Sequence, residues 1–428
     1  MYLNTFLIMF GLDPDNFINE LVEPFTSDAG ETIYNLRQRT DIRICPNCND
    51  DNVLINDYYY TNTRFTTNDG LTVIIRIKRA RFKCKECNKT FTNRIRGIDR
   101  YSRISNQARS LMIKDFYKQK SFSLIAKDYG VSTQEVMAVF DKEFPTVYRS
   151  KLPKAMCIDE IGFKTIDGSY AAIIYDHDKK IVVDVIRNRQ SGYLSSYFMS
   201  CSFYERREVK YFISDLYEGY TSIKQQFFNE AIHIADMFHV IRLLRVEVSR
   251  LRKRTIREKT IEGDIKRSFM KRNWEMFERF VSAEEMRKPR YIRSDGITYT
   301  TWDLMRRCLE LDIEFWDAYN TLQDLMCYWK YKNYTDAVNF IEMIYKKLIH
   351  SGNDDLIRVG NTYHKWRYEI ANAIHYKNDV DKRYSNGPAE GMNNAIKTII
   401  KDGNGYRNFE RFRKRVLLIL NKAKDPTP

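Results

Sequence analysis

The spacing of apolar and polar positions divides the chain into segments with different predicted secondary structure. The first 40 residues have a helical pattern, residues 42–96 carry short runs typical of strands, and residues 104–143 return to helical spacing. From Val240 to about Tyr376 the spacing is again helical, with many aromatic residues. At 428 residues the chain has room for two to four domains.

Between these helical parts, five apolar, β-branched runs predict a sheet. The runs are Ala155–Ile161, Ser169–Asp176, Lys180–Ile186, Val209–Ile213 and Ala231–Ala235. Helical segments at Gly192–Ser200 and Thr221–Asn229 fall between the last three runs. Three strands, a helix, a strand, a helix and a strand is the order of a ribonuclease H-like core, an α/β fold with a mixed sheet. The predicted fold class is therefore multidomain α/β, with a ribonuclease H-like catalytic core interrupted by a helical insertion.

The charge favours a polyanionic partner. Lys and Arg outnumber Asp and Glu by 71 to 56, a formal net charge of +15. Such an excess favours nucleic-acid binding, although base bias in the source genome would also produce it. No apolar stretch reaches the roughly twenty residues that span a bilayer. The apolar start, Met1–Phe10, lacks the basic region of a signal peptide, so we expect no membrane partner.

Four of the eight cysteines form two CxxC turns on either side of a predicted hairpin. Each such turn supplies two thiolates to a tetrahedral zinc site. We therefore predict a structural Zn²⁺ bound by Cys45, Cys48, Cys84 and Cys87. The alternatives are four ordinary buried thiols or a redox pair. Cysteines in a chain without a signal peptide favour reduced thiols in the cytoplasm.

Residues Phe122–Asp141 fit a helix-turn-helix. Ala126 is the small residue at the helix crossing, Gly130 supplies the turn, and Ser132 caps the second helix. The exposed start of that helix is predicted to read base edges in the major groove. The predicted DNA contacts are Ser132, Thr133, Gln134 and Met137 here, and Lys83 and Lys85 in the basic cysteine module. The alternative is a helical hairpin with no role in DNA binding.

Carboxylates lie at the ends of predicted strands. Asp159 is in the first strand, Asp215 follows the fourth, Asp236 ends the fifth, and Glu390 opens a late helix. Side chains alternate along a strand, so Asp159 and Glu160 face opposite ways. Each acid alone is explained by turn or helix-terminus chemistry. Together they supply the converging oxygen ligands that two divalent cations about 4 Å apart require.

The topology favours Asp215 over Asp236 as the second catalytic acid. In a ribonuclease H-like sheet the fourth strand lies beside the first, and the fifth lies roughly 5 Å further out. On the late helix, an apolar stripe lies opposite Glu390. We expect the stripe to pack on the helical insertion, so that Glu390 faces the metals.

The motifs resemble those of the ISL3 family of bacterial insertion-sequence transposases, which belong to the DDE class. The shared features are the two CxxC turns, the helix-turn-helix, Ile158–Ile161, Asp215 with Tyr217 and Tyr220, Asp236–His239, and Ser385–Glu390 with Asn393 and Lys397. The resemblance implies Mg²⁺ (or Mn²⁺) held by Asp159, Asp215 and Glu390. Asp236, His239, Asn393 and Lys397 are then accessory or alternative site residues.

By the same resemblance, the N-terminal modules bind terminal inverted repeats, and the acids cleave and transfer strands into target DNA. We expect a homodimer or larger assembly in the bacterial cytoplasm, associated with the nucleoid. Two other functions stay open: a transposase-derived DNA-binding protein without catalysis, and a ribonuclease H-like nuclease without strand transfer. The intact acid set disfavours the first, and the paired DNA-reading modules disfavour the second.

These features predict six segments along the chain. They are an N-terminal helical segment (1–41), a zinc-binding β module (42–100), a helix-turn-helix domain (101–150), the first part of the core (151–245), a helical insertion (246–380), and the final core helices with the catalytic Glu (381–428).

Overall fold

A computed structural model of the protein gives a mixed α/β structure. It describes residues 3–18, 23–28, 30–41, 43–66, 72–100, 102–165, 168–294, 296–403 and 405–421, without the side chains of Thr165 and Pro388. Met1, Tyr2 and Leu71, which belong to predicted elements, lie outside the described residues. Two compact units divide the chain: Met1–Tyr148 with Ala395–Pro428, and Arg149–Asn394.

The first unit begins with a helix and a five-stranded sheet. These elements are α1 (Leu3–Met9), β1 (Pro24–Thr26), β2 (Thr32–Arg37), β3 (Val53–Thr66), β4 (Thr72–Cys84) and β5 (Thr90–Phe91), with a 3-10 turn at Pro14–Asn16. The strand order is β1-β2-β4-β3, and β5 pairs with β4. Phe6 of α1 and Phe10, directly after it, belong to the same buried cluster as Phe65 and Ile75 of the sheet.

The helical prediction for residues 1–41 is wrong over much of its length, because β1 and β2 are strands. β2 runs parallel to β4, with Ile33 opposite Ile74 and Leu36 opposite Ile77. The partner strand lies some forty residues further along the chain, so a local periodicity could not reveal the pairing. The β-branched and aromatic run Thr32-Ile33-Tyr34 was the available signal.

Three helices complete the N-terminal part of this unit: α2 (Asn106–Asp115), α3 (Phe122–Asp128) and α4 (Thr133–Glu143). Gly130, with φ +61°, makes the turn between α3 and α4. Ser132 caps α4 through a capping box with Glu135, as the sequence predicts for the cap. The buried side chains include Ile125, Ala126, Val136 and Phe140. The two predicted helices and the glycine turn between them are therefore present, and their role as a DNA-binding helix-turn-helix stays a prediction.

The second unit contains a five-stranded mixed sheet. Its elements are β6 (Ala155–Thr165), β7 (Gly168–Asp176), β8 (Ile181–Ile186), α5 (Ser191–Ser200), α6 (Phe203–Arg207), β9 (Tyr211–Ser214), α7 (Glu218–Phe227) and β10 (Ile232–Ala235). The strand order is β10-β9-β6-β7-β8. β9 is parallel to both β6 and β10, whereas β7 is antiparallel to β6 and β8. The predicted placement of the fourth strand beside the first, with the fifth outside it, is confirmed.

A predominantly helical segment follows. Its elements are α8 (Met237–Glu258), α9 (Ile265–Arg272), α10 (Ala283–Arg287), β11 (Pro289–Ile292), β12 (Ile297–Thr300), α11 (Thr301–Leu309), α12 (Ile313–Met326), α13 (Tyr334–Ile349), α14 (Asp354–Lys365) and α15 (Arg367–His375), with 3-10 turns at Trp274–Phe277 and Tyr328–Lys330. The small hairpin β11–β12 interrupts the predicted helical pattern. Among the described residues, no helix is long and apolar enough to cross a membrane.

The chain ends with α16 (Gly387–Asp402) and α17 (Phe409–Asn421). The sequence assigned residues 381–428 to the core as one piece, but the boundary between the units falls within α16, at Asn394/Ala395. The physical reason is the packing of α17. Arg415, 1% exposed, donates hydrogen bonds to the carbonyl oxygens of Phe116, Lys118 and Lys120, next to the helix-turn-helix.

Candidate active site and nucleic-acid interface

Three acidic residues lie on adjacent strands of the second sheet or directly after them. In the register, Cys157 of β6 lies opposite Ile213 of β9, and Ser214 of β9 lies opposite Ala235 of β10. Asp159 lies two residues beyond Cys157, Asp215 follows Ser214, and Asp236 follows Ala235. Parallel strands end at the same edge of a sheet, so the backbones of these three acids are neighbours.

Asp159 is held in place by the late helix α16. Its side chain is 9% exposed, and its Oδ2 accepts a 2.8 Å hydrogen bond from Nδ2 of Asn393. Oδ1 of Asn393 in turn accepts a hydrogen bond from the hydroxyl of Tyr175 on β7. The amide orientation of Asn393 is thereby fixed, and it fixes the carboxylate of Asp159. The predicted accessory residue Asn393 is thus in direct contact with the first acid.

Asp215 has an unsatisfied carboxylate oxygen. Its Oδ1 is buried and has no hydrogen-bond partner among the described residues. Burial is the main cause that raises the pKa of Asp215 to about 6; the imidazole of His239 opposes the rise and the carboxylate of Asp159 adds to it. Two neighbouring carboxylates, one with a free buried oxygen, are a donor set that a divalent cation would stabilise.

Asp236, by contrast, has both carboxylate oxygens engaged. It is 2% exposed, and its Oδ1 accepts from the backbone N–H of Phe238 at the start of α8 and from the backbone N–H of Asn386. Its Oδ2 lies 2.8 Å from Nδ1 of His239. That hydrogen bond raises the pKa of His239. Asp236 therefore joins α8 to the segment that leads into α16.

Glu390 lies in the first turn of α16 and its side chain is exposed. Three residues later, on the adjoining part of the helix surface, Asn393 reaches Asp159. The buried positions of this helix end are Asn386, Ala389 and Asn393, so the face turned inward here is partly polar. Glu390 is thus exposed, and among the described residues its carboxylate does not form a three-ligand group within 4.8 Å with those of Asp159 and Asp215. Lys397 is exposed one turn beyond Asn393.

Two residues of this region, Arg189 and Asn386, were not predicted from the sequence. Arg189 forms an ion pair with Glu160, and its guanidinium lies 4.7 Å from the ring centre of Tyr170 and 4.9 Å from that of Tyr217. Both amide atoms of Asn386 are buried without a hydrogen-bond partner among the described residues. Asn386 lies in the motif Ser385–Glu390 and could have been predicted from it. Arg189 is a single arginine after a strand and belongs to no motif.

The four cysteines of the CxxC turns come together. All four Sγ atoms lie within 4.8 Å of one another, and the Cys45–Cys87 and Cys48–Cys84 Sγ pairs are each 3.5 Å apart. In a tetrahedral site with Zn–S bonds of about 2.3 Å, the sulfurs lie roughly 3.8 Å apart. The donor set therefore fits a zinc ion.

The two cysteine turns also share one backbone geometry. The backbone N–H of Cys45 donates to the carbonyl oxygen of Asp50, and that of Cys84 donates to Lys89. The residue after each second cysteine is an asparagine with positive φ, +58° at Asn49 and +60° at Asn88. Asparagine tolerates this left-handed conformation better than most residues. The Cys-x-x-Cys-Asn repeat was thus a sequence signal for two equivalent metal-binding turns.

The predicted DNA-contacting residues differ in their exposure. Gln134 is exposed and Thr133 half-buried at the start of α4, while Lys83 and Lys85 are exposed on the cysteine module. The Ser132 hydroxyl is engaged in the capping box. Met137 packs against the helix-turn-helix core, with its sulfur 3.1 Å from Nη1 of Arg411 on α17. The outward surface of α4 is therefore centred on Gln134 rather than on Met137.

Comparison with known proteins identifies the family. Residues 156–416, well over half of the chain, match the ISL3 family model for DDE transposases, which is described as "Transposase". The chain belongs to the ISL3 family of transposases.

One curated protein shows a partial similarity. It comes from Lactococcus lactis subsp. lactis, is named "ATP-dependent protease", and is 27% identical over 129 residues. The match covers 30% of this chain and 38% of that protein, so it spans well under half of the relative's length. The present sequence contains no Gly-Lys pair, which the Walker-A loop of an ATPase includes.

Proposed function

We propose that this transposase binds the terminal inverted repeats of an insertion sequence and catalyses metal-dependent strand cleavage and strand transfer. The observation that carries the proposal is the pair Asp159 and Asp215 at one sheet edge, with a buried oxygen of Asp215 left without a hydrogen-bond partner. The strand order of the second unit supports a ribonuclease H-like core for this chemistry.

Asp159, Asp215 and Glu390 would hold Mg²⁺ (or Mn²⁺). When bound, such ions polarise the phosphoryl oxygens and lower the pKa of an attacking water or hydroxyl. Within the protein, Asn393 fixes the carboxylate of Asp159, so this ligand is already oriented before DNA arrives. Asp236 holds the start of α8 and the segment before α16 together, and so positions Glu390 indirectly.

The N-terminal unit would recognise the DNA ends. In this proposal the helix-turn-helix reads bases through Thr133 and Gln134, with Lys83 and Lys85 on phosphates. A structural Zn²⁺ would hold the ends of the hairpin β3–β4 at Cys45, Cys48, Cys84 and Cys87. Action at two ends implies a homodimer or larger assembly, working at the nucleoid in the bacterial cytoplasm.

The test uses DNA from both sides of the gene, where the inverted repeats are expected. A marker placed between these two end fragments is incubated with purified protein and Mg²⁺, and cleavage at the ends and joining to a target plasmid are measured. We expect Asp159→Asn, Asp215→Asn and Glu390→Gln each to lose both reactions while retaining end binding.

The matched control is Asp379→Asn, which removes an acid from the same unit whose side chain is 94% exposed; it should cleave like the wild type. Binding without any cleavage by the wild type would support a non-catalytic DNA-binding protein instead. Cleavage without joining, whatever the target, would support a nuclease.

A further inference from the structure

One face of the hairpin β3–β4 is polar and basic. In the antiparallel register Tyr60 lies opposite Lys78, and Asn62 lies opposite Arg76. Directly opposed residues share one face of a sheet, so these four side chains form a continuous patch. The alternate positions, such as Phe65 and Ile75, belong instead to the buried cluster beneath α1.

The positive charge of this face is not neutralised locally. Among the described residues, no carboxylate lies within ion-pair distance of Arg76, Lys78 or the neighbouring Arg103. The two acids nearby have other partners: Glu31 pairs with Arg64 at 2.8 Å, and Glu135 completes the capping box of α4. The patch is therefore suited to a polyanion.

A groove of about 740 Å³ joins this face to the start of α4. Its walls are Tyr60, Asn62, Arg64 and Arg76 from the strands, and Gly130, Val131, Ser132 and Glu135 at the start of α4. A side chain at position 130 would approach Nη1 of Arg64 to about 3.0 Å, so glycine permits this close approach. The strand face and the start of α4 are thus parts of one surface.

One cationic side chain lies over the ring of each tyrosine of the face. The guanidinium of Arg76 lies 4.7 Å from the ring centre of Tyr60, and Nζ of Lys78 lies 4.8 Å from that of Tyr58. Both residues stay more than half exposed, Tyr60 at 56% and Tyr58 at 52%. Single-stranded nucleic acids bind by stacking bases on open ring faces. Rings that carry a cation instead present positive charge, which favours the phosphates of a duplex.

We propose that this hairpin face, defined by Tyr58, Tyr60, Asn62, Arg76 and Lys78, holds the sugar-phosphate backbone of duplex DNA beside the segment read by α4. The inference rests on the proposed end binding and specifies a second contact surface for it. It is distinct from Lys83 and Lys85, which lie next to the cysteine turns.

The test compares Arg76→Gln with Arg81→Gln. Both change an exposed arginine of β4 to the same residue, but Arg81 pairs with Asp57 at 3.1 Å outside the hairpin face. The probes are a 60-base-pair duplex from the DNA flanking the gene and a single strand of the same sequence. Zinc content and melting temperature should match the wild type in both variants, because both positions are exposed.

Arg76→Gln should lower the slope of log affinity against log salt by about 1 and weaken duplex binding about eightfold at 0.1 M salt. Arg81→Gln should change neither quantity. In hydroxyl-radical footprints, Arg76→Gln should lose protection of the flanking backbone, whereas Gln134→Ala should retain that protection.

Equal binding by the two arginine variants would overturn the inference, as would tight single-strand binding that depends on Arg76. A wild type that binds no duplex would overturn both this inference and the proposed end binding. Duplex binding that depends on Arg76 without Mg²⁺-dependent cleavage would leave the hairpin face standing and reject the proposed catalysis.

Discussion

At the scale of single residues, the carboxylates at the sheet edge differ in how they are satisfied. Asp215 has a buried oxygen without a partner, whereas Asp236 uses both oxygens to hold Phe238, Asn386 and His239. A metal ligand needs an available lone pair, and a positioning residue needs fixed protein partners. This contrast supports the choice of Asp215 that the strand order first suggested.

We therefore predict that Asp215→Asn abolishes Mg²⁺-dependent cleavage, while Asp236→Asn keeps measurable residual activity. The amide at 236 still caps α8 with its oxygen, although the His239 contact is weakened, so a lower melting temperature accompanies the partial loss. The measurement is the cleavage rate of each variant at protein concentrations that give equal binding to the end DNA. An inactive Asp236→Asn beside an active Asp215→Asn would reverse the assignment.

His233 gives the second unit a dependence on pH. It is 6% exposed, and burial lowers its pKa to about 3. Below the usual pKa of about 6.5, His233 binds a proton in the unfolded chain but stays neutral in the folded chain. The stability contributed by neutral His233 is thus complete above pH 6.5 and is lost as the pH falls toward 3, by at most about 1.4 kcal/mol per pH unit.

We predict that His233→Gln removes part of this slope between pH 7 and pH 4.5. Urea unfolding followed by tryptophan fluorescence measures it, because all five tryptophans lie in the second unit. The exposed His350→Gln is the control and should keep the wild-type slope. A slope unchanged in His233→Gln would show that other groups cause the acid sensitivity.

At the scale of elements, the two cysteine turns close the ends of the hairpin β3–β4. Cys84 is the last residue of β4, and Cys45 precedes β3 by eight residues. Few apolar side chains support this end: the local buried cluster contains Val53, Ala80 and Phe82 besides the cysteines. We infer that metal, rather than packing, determines the fold of this end.

Cys84→Ser should therefore lose about one Zn²⁺ per chain and lose DNA binding, while tryptophan-monitored unfolding of the second unit stays unchanged. The buried Cys308→Ser, far from the turns in sequence, is the matched control and should keep its zinc. Elemental analysis of freshly reduced protein gives the metal content. A wild type without zinc would contradict the prediction.

Gln134 on α4 and Lys85 on the cysteine module are predicted to have different roles, base reading and phosphate binding. Gln134→Ala should reduce the discrimination between end DNA and random DNA by about 1–3 kcal/mol if Gln134 makes a bidentate base contact. Lys85→Gln should weaken binding to both DNAs equally and lower the salt dependence. Met137 packs against Arg411, so its replacement should act through stability. Identical behaviour of the Gln134 and Lys85 variants would show that α4 does not read bases.

At the scale of the whole molecule, the last helix belongs with the first domain. α17 contributes Arg415 to the carbonyl oxygens between α2 and α3, and Arg411 to Asp141 of α4. Residues more than 260 positions apart thus complete the first unit. α16 starts in the second unit and ends in the first.

Arg415→Met should destabilise the first unit by roughly 1.5–3 kcal/mol, because charged hydrogen bonds to buried carbonyl oxygens are lost. The zinc-release and far-UV transitions should shift to lower temperature. Tryptophan fluorescence, which reports the second unit, should not shift. Arg407→Met, at an exposed position, is the control. A shift in the tryptophan transition alone would contradict this assignment of α17.

The sequence by itself determined the elements whose signals are local. The strands β6–β10 were predicted within a few residues because each is an apolar run bounded by turn residues. The helix-turn-helix followed from the turn glycine and the capping serine, and the cysteine set followed from two short motifs. The order of Asp159, Asp215 and Asp236 along one edge followed from the strand order alone.

The tertiary structure alone decided what depends on contacts between distant parts of the chain. β2 is a strand because it pairs in parallel with β4. α17 belongs to the first unit because Arg415 donates hydrogen bonds to backbone carbonyl oxygens of that unit. The tie between Asn393 and Asp159 joins residues 234 positions apart. Each such hydrogen bond or ion pair involves a single residue at either end. It therefore creates no repeating pattern of apolar and polar residues from which the contact could be predicted.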